Sequence, residues 1–175
     1  MEPAPSSLHL ITGGARSGKS RYAQQLAGQL TDAPVYVATA NVDKSDADFD
    51  QRIRRHQQER GPEWTNFEEP RYASRLPLAG RVVIIDCVTL WLTTFFSDAN
   101  YDVDSSLNLF KQEVDKLLTV PAHLFVVTNE IGMGVHAETA IGRKFTDLQG
   151  WANQYLAQRA DAVTLMVCGL PVTVK

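Results

Sequence analysis

Eight residues near the N-terminus, Gly13-Gly14-Ala15-Arg16-Ser17-Gly18-Lys19-Ser20, have the types and spacing of a phosphate-binding loop. They fit G-x-x-x-x-G-K-[ST] without a gap. Glycines let the backbone bend into a nest whose N–H groups converge on phosphate oxygens. A helix starting near Lys19 adds its positive N-terminal end. The Lys19 ammonium can reach the β- and γ-phosphates, and the Ser20 hydroxyl can ligate Mg²⁺. The bland alternative is a glycine turn that happens to contain Lys-Ser. The apolar run Leu8–Ile11 before the motif and the helical pattern Arg21–Leu30 after it supply the strand–loop–helix context that favours nucleoside triphosphate binding.

Three further groups could do chemistry. Asp86 ends the apolar run Val82–Ile85, a place from which an acid can hold Mg²⁺ beside a phosphate loop. The competing reading is an acid capping the helix that begins near Thr89. In the segment 52–60, Arg52, His56 and Arg60 fall at i, i+4 and i+8 and share one face of a helix. Two guanidiniums beside an imidazole favour its neutral, nucleophilic form and can hold an anionic phosphate. From this pattern alone, a solvated charged helix with an incidental histidine is the favoured reading. Finally, Val126-Val127-Thr128-Asn129-Glu130-Ile131-Gly132-Met133-Gly134 runs from an apolar strand into polar residues and glycines. Catalytic loops often sit at such strand ends, where Asn129 and Glu130 could orient a substrate hydroxyl or a metal-bound water. An ordinary strand-to-helix turn with Asn as the cap explains the pattern as well. His123 and His136 select no metal site, and His9 lies inside the first strand run.

The elements that must position these groups alternate. Strands are expected at Leu8–Ile11, Pro34–Ala38, Trp64–Phe67, Arg81–Asp86, Ala122–Thr128, Ala162–Val167 and Val172–Val174. Helices are expected over Arg21–Leu30, Asp46–Arg60, Thr89–Phe96, Ser105–Leu118 and Thr139–Arg159. Strand–helix alternation predicts an α/β fold, a mostly parallel sheet flanked by helices. The last two strands, separated by a Gly169-Leu170-Pro171 turn, leave no room for a crossover helix and should be antiparallel. Asn41–Ala47 and Ser97–Asp104 are expected to be flexible, and residues 1–7 to form a frayed tail.

Composition bounds the rest. At 175 residues the chain is most simply one catalytic domain, spanning 1–175. A net charge of −3 without a Lys/Arg block gives no nucleic-acid footprint. No apolar run approaches the roughly 20 residues that cross a bilayer, and no secretory signal pattern opens the chain. Cys87 and Cys168 read as reduced, buried core residues, so a cytoplasmic enzyme is the expectation.

Four motifs, taken in order, resemble the bifunctional adenosylcobinamide kinase / adenosylcobinamide-phosphate guanylyltransferase family of cobalamin biosynthesis. They are Thr12–Ser20; Arg52-Ile53 with His56 and Arg60; Asp86-Cys87-Val88-Thr89-Leu90-Trp91-Leu92-Thr93; and Thr128–Gly134. The likeness runs from about Leu8 to Lys175. It implies a RecA-like P-loop core, and phosphorylation of the aminopropanol hydroxyl of adenosylcobinamide by ATP or GTP. GMP then passes from GTP to adenosylcobinamide phosphate through a GMP-histidine intermediate. By similarity the histidine is His56. Gly13 to Ser20, Thr39, Ala40, Asn41, Gln57, Gln58, Glu59, Arg60, Glu68 and Asp86 contribute to nucleotide binding, with Ser20 and Asp86 on Mg²⁺. The resemblance also implies a homotrimer with sites near subunit boundaries. Departures from the family pattern stand at Gly61, at Thr94 where the family often has Asn, and at His136-Ala137. Two other readings of the residues are a different P-loop small-molecule kinase, with His56 merely structural, and a nucleotide-dependent binding protein.

Overall fold

The computed structural model of the chain describes residues 6–41 and 60–175. Its strands are β1 Ser7–Gly13, β2 Val35–Ala38, β3 Thr65–Glu68, β4 Val82–Asp86, β5 His123–Val127, β6 Ala162–Val167 and β7 Leu170–Thr173. Its helices are α1 Lys19–Leu30, α2 Val88–Asp98, α3 Val103–Leu118 and α4 Ala140–Arg159. The expected helix over Asp46–Arg60 lies outside the described residues except for Arg60, as does all but Asn41 of the stretch Asn41–Ala47.

All seven strands join one sheet in the order β3-β2-β4-β5-β1-β6-β7. Every pairing is parallel except the last, β6 with β7. This is the expected α/β arrangement with an antiparallel C-terminal strand. Side-chain alternation sends Leu8, Leu10, Val83, Ile85, Leu124 and Val126 to the face covered by α2, α3 and α4. There Trp91 and Phe110 meet edge-on with ring centroids 5.4 Å apart. Ile11, Ile84, Phe125 and Val127 point to the other face, against Ala23 and Ala27 of α1. Central strands covered on both faces read as continuous apolar runs, which is why β4 and β5 were legible.

Four local expectations need correction. The hairpin turn is Cys168–Gly169, not Gly169–Pro171. Both turn residues have positive φ, 52° and 82°, as a two-residue hairpin matched to strand twist requires. Pro171 therefore sits in β7, opposite Met166. Because β7 is the outer strand, the N–H that Pro171 lacks would point off the sheet and costs no ladder bond. Cys168 is consequently exposed at the hairpin tip, while Cys87 is buried as expected. The stretch Ser97–Asp104 spans the end of α2, a tight turn over 99–102 and the start of α3. Asp102 caps α3 by accepting from the Ser105 N–H at 2.9 Å, and Arg71 pairs with Asp98 at 2.7 Å. Ser7 belongs to β1 rather than to a tail, and its hydroxyl lies 2.6 Å from His123 Nδ1.

His9 projects from β1 with Nε2 2.8 Å from the Thr164 hydroxyl. Burial first, and the neighbouring His123 second, depress its pKa. Below about pH 6.5 the unfolded chain takes up a proton that the folded chain resists. The stability that neutral His9 contributes is thus complete above that pH and is lost as pH falls toward the depressed folded value. Urea unfolding between pH 7.5 and 5 should show the midpoint dropping with acid, and His9→Gln should flatten that drop. An unchanged slope in the variant would contradict the assignment.

Candidate active site

Because the first six strands run parallel, their carboxyl ends share one edge of the sheet, and the loops leaving them form the site. β1 delivers the loop Gly13–Ser20. Gly13 has φ 146°, and a Cβ there would lie 2.6 Å from the Met166 carbonyl oxygen of β6. Arg16 and Gly18 also have positive φ, 57° and 94°. The loop is braced from behind by the hairpin tip, where the Gly169 N–H donates to the Ser17 carbonyl at 3.1 Å. α1 begins with no side-chain cap. The first N–H groups of a helix lack intrahelical acceptors, so they remain available for an anion.

Lys19 is 7% exposed. Its ammonium folds back to donate to the Gly14 carbonyl and, at 3.4 Å, to the Ser17 hydroxyl. Burial lowers its pKa, while the charge of Asp86 works in the opposite direction. Arriving phosphate oxygens can take over these donor bonds and add the countercharge. The Cys87 thiol, pushed up to about 12 chiefly by burial, stays neutral and is no nucleophile.

Asp86 is not the helix cap. That position belongs to Cys87, whose side chain makes no capping bond. The Asp86 carboxylate instead accepts from the Tyr36 hydroxyl at 2.9 Å. Burial and then the Asp86 charge push the Tyr36 phenol well above its usual value, which keeps it a donor. Thr39 ties β2 to the same corner. Its N–H donates to the Asp86 carbonyl at 3.2 Å, and its hydroxyl to the Cys87 carbonyl at 2.7 Å.

The loop after β5 is held by a polar network from α4. Glu130 Oε1 accepts from the Thr12 hydroxyl at 2.8 Å and from Asn153 Nδ2 at 3.0 Å. The Glu130 N–H donates to the Gly13 carbonyl at 3.2 Å. Asn153 Nδ2 also reaches the Asn129 carbonyl at 3.0 Å, and the Thr128 hydroxyl donates to Asn153 Oδ1 at 2.7 Å. Gln149 Nε2 closes the set on Thr128 and Asn153, both at 3.0 Å. Asn129 does not cap a helix; its Nδ2 donates to the Thr89 hydroxyl of α2 at 2.9 Å. This loop is therefore fixed to the phosphate loop on one side and to α2 on the other.

Of the residues singled out in the sequence, the structure gathers Gly13–Ser20, Thr39, Asp86, Asn129 and Glu130 at one edge. Ala40 is buried and Asn41 exposed just beyond β2. Glu68 ends β3, four strand positions from β1 and so roughly 19 Å from it. Arg60 stacks on Tyr36, its guanidinium carbon 3.7 Å from the ring centroid. Arg52, His56, Gln57, Gln58 and Glu59 lie outside the described residues. Thr94 is 4% exposed, with a hydroxyl that has no partner among the described residues, so this departure sits inside α2 rather than at the strand-end edge. His136 is exposed in the loop before α4. Sequence reasoning missed Tyr36, Gln149 and Asn153, and carried Thr12 only as the first residue of the Thr12–Ser20 motif. Tyr36 was hidden in an apolar strand. Gln149 and Asn153 did carry a signal, two amides four residues apart on the stripe that also holds Leu148 and Ala152.

If Mg²⁺ binds here, the Ser20 hydroxyl and the Asp86 carboxylate would be its protein donors. Only one Asp86 oxygen is engaged by the protein among the described residues. An all-oxygen set of one or two side chains, completed by phosphates and water, suits this small hard cation.

Gly13 and Gly14 separate backbone geometry from simple size. Gly13→Ala meets a positive φ and a backbone oxygen, whereas a Cβ at Gly14 meets nothing within 4 Å. Strain of this kind costs about 1–3 kcal/mol. Gly13→Ala should lower the urea midpoint and weaken binding of a fluorescent GTP analogue at least tenfold, while Gly14→Ala should stay within about threefold of the unsubstituted chain. Equal effects would refute the account.

The family described as cobinamide kinase / cobinamide phosphate guanyltransferase matches residues 9–174. The bifunctional adenosylcobalamin biosynthesis protein CobP of Pseudomonas aeruginosa is 37% identical over 171 residues, covering 95% of this chain and 96% of that protein. The CobU protein of Escherichia coli, with the same bifunctional description, is 35% identical over 181 residues, covering 95% and 98%. Among solved structures, a KaiC-like protein of Pyrococcus horikoshii is 12% identical, with a TM-score of 0.48 over 91% of this chain and 70% of that one. The match over almost the whole length, on a chain whose phosphate loop, Asp86 and Asn129-Glu130 loop converge at one sheet edge, makes this protein a member of the cobinamide kinase / cobinamide phosphate guanyltransferase family.

Proposed function

We propose that this chain phosphorylates the aminopropanol hydroxyl of adenosylcobinamide with ATP or GTP, then transfers GMP from GTP to the new phosphate by way of His56. The observation that supports the reading is the loop Gly13–Ser20 at the same sheet edge as Asp86, on a chain that matches this family over residues 9–174. In the kinase step the substrate hydroxyl attacks the γ-phosphorus, the nucleoside diphosphate leaves and the hydroxyl proton is released. The loop N–H groups orient the phosphates and Lys19 neutralises developing charge, so positioning supplies most of the acceleration. Ser20 and Asp86 would hold Mg²⁺, which when bound spreads negative charge off the β- and γ-phosphates.

In the second step an imidazole nitrogen of His56 attacks the α-phosphorus of GTP and pyrophosphate leaves. A phosphate oxygen of adenosylcobinamide phosphate then displaces the histidine and gives adenosylcobinamide-GDP. Direct attack needs the imidazole nitrogen within about 3–3.5 Å of phosphorus. The chain carries both steps on one domain and assembles as a homotrimer, which the family resemblance supports. Among the described residues no helix is long and apolar enough to cross a membrane. The free thiols Cys87 and Cys168 suit a reducing, cytoplasmic setting.

Two substitutions divide the activities. Incubation with α-labelled GTP and Mg²⁺ should attach an acid-labile, base-stable GMP to the protein, and His56→Ala should abolish it. The same variant, given adenosylcobinamide and ATP, should still accumulate the monophosphate and form no GDP adduct. Equal loss of both products would refute the division of roles. Lys19→Ala, by contrast, should weaken both reactions by about a hundredfold or more in kcat/KM, since each loses charge-assisted contact to phosphate. A kinase defect alone would show that the two steps use different phosphate sites.

A further inference from the structure

Tyr36 joins two parts of the site that the chain order separates. Its hydroxyl makes the one hydrogen bond to the Asp86 carboxylate found among the described residues, 2.9 Å to Oδ2. Its ring is 5% exposed and carries the Arg60 guanidinium on its face at 3.7 Å. Trp64 closes the ring edge-on at 6.4 Å. Arg60 is further fixed by a 2.8 Å bond from Nε to Asn66 Oδ1. Its Nη1 is buried without a partner among the described residues. A charged donor left dry is costly unless an acceptor reaches it, and the phosphate oxygens of a nucleotide are such acceptors.

We propose that Tyr36 is a positioning residue shared by both half-reactions: its hydroxyl aims Asp86 at the divalent cation, and its ring seats Arg60, which follows closely on His56 in the chain. The proposal rests on the metal role of Asp86 and the nucleophilic role of His56 argued above. A carboxylate bonded through one oxygen presents the other in a fixed direction, and loss of such a supporting bond typically costs 10–100-fold in metal affinity. A planar guanidinium stacked on an aromatic face keeps its N–H fork in one plane, which an ammonium cannot do. The two contacts use different parts of one side chain, so they can be removed separately.

The test uses the full-length protein with GDP as the nucleotide and Mn²⁺ as the cation, its binding followed by electron paramagnetic resonance. Tyr36→Phe keeps the ring and loses the hydroxyl; it should weaken Mn²⁺ binding about tenfold while leaving GDP affinity in EDTA within about twofold. Its rate of GMP labelling should recover as Mg²⁺ is raised. Tyr36→Leu loses both contacts, and its labelling should stay at least tenfold slow at saturating Mg²⁺. Arg60→Lys, with Tyr36 in place, should share that labelling defect but keep full Mn²⁺ affinity. If Asp86→Asn weakens Mn²⁺ and Tyr36→Phe does not, the Tyr36 role is overturned and that of Asp86 stands. If Asp86→Asn also leaves Mn²⁺ affinity intact, the metal role of Asp86 fails and the proposal with it. Rapid labelling by Arg60→Lys at saturating Mg²⁺ would overturn the seat.

Discussion

The structure depends on one constraint: the loop Gly13–Ser20 has to hold its shape with little hydrogen bonding of its own. A loop whose N–H groups are to receive an anion has few donors left to stabilise itself, and the bond from the Ser17 N–H to the Gly14 carbonyl is long, at 3.4 Å. Its shape has to come from its flanks. β1 is paired on both sides, with β5 and β6, so the strand that leads into the loop cannot shift. Gly13 is pressed against the Met166 carbonyl, and the hairpin tip bonds to Ser17. The C-terminal hairpin is thus a support for residues some 150 positions earlier.

The same constraint organises the polar interior. Thr12, the residue just before the loop, is pinned by Glu130, and Glu130 by Asn153 of α4. Thr128, Gln149 and Asn153 are all buried and bond to one another. Buried polar groups are costly unless partnered, and this set satisfies most of its own demands while fixing the β5 loop in one position. A purely apolar contact between α4 and β5 would bury area equally well, but it would leave the loop free to slide. Directional bonds are what set the place of Asn129 and Glu130 relative to Gly13.

On the opposite side of the site, Asp86, Thr39 and Tyr36 perform a similar task with different means. The strand ends of β2 and β4 are tied by Thr39 to backbone carbonyls, so Asp86 is presented from a rigid edge. The Asp86 charge then favours the Lys19 ammonium, with burial working against it.

The amino-acid sequence by itself determined the phosphate loop, the strand–helix alternation, the antiparallel ending and the family. These are short-range properties: a loop of eight consecutive residues, an apolar run, a helical stripe. The ends of elements were less legible. The Cys168–Gly169 turn was read one residue late because Pro171 looks like a turn residue, and only its place on the outer strand shows why it is tolerated. Cys168 reads as buried because it follows an apolar run, and its place at the hairpin tip exposes it. His56 and its neighbours rest on the resemblance, since spacing alone favours an incidental histidine. The tertiary structure decided which residues support the chemistry. Nothing in the apolar strand that holds Tyr36 shows that Asp86, 50 positions on, ends beside its hydroxyl. Asn153 and Glu130 are 23 residues apart, and Thr12 lies 118 before Glu130. A hydrogen bond needs atoms within about 3 Å, and only strand order and helix placement bring such distant residues that close.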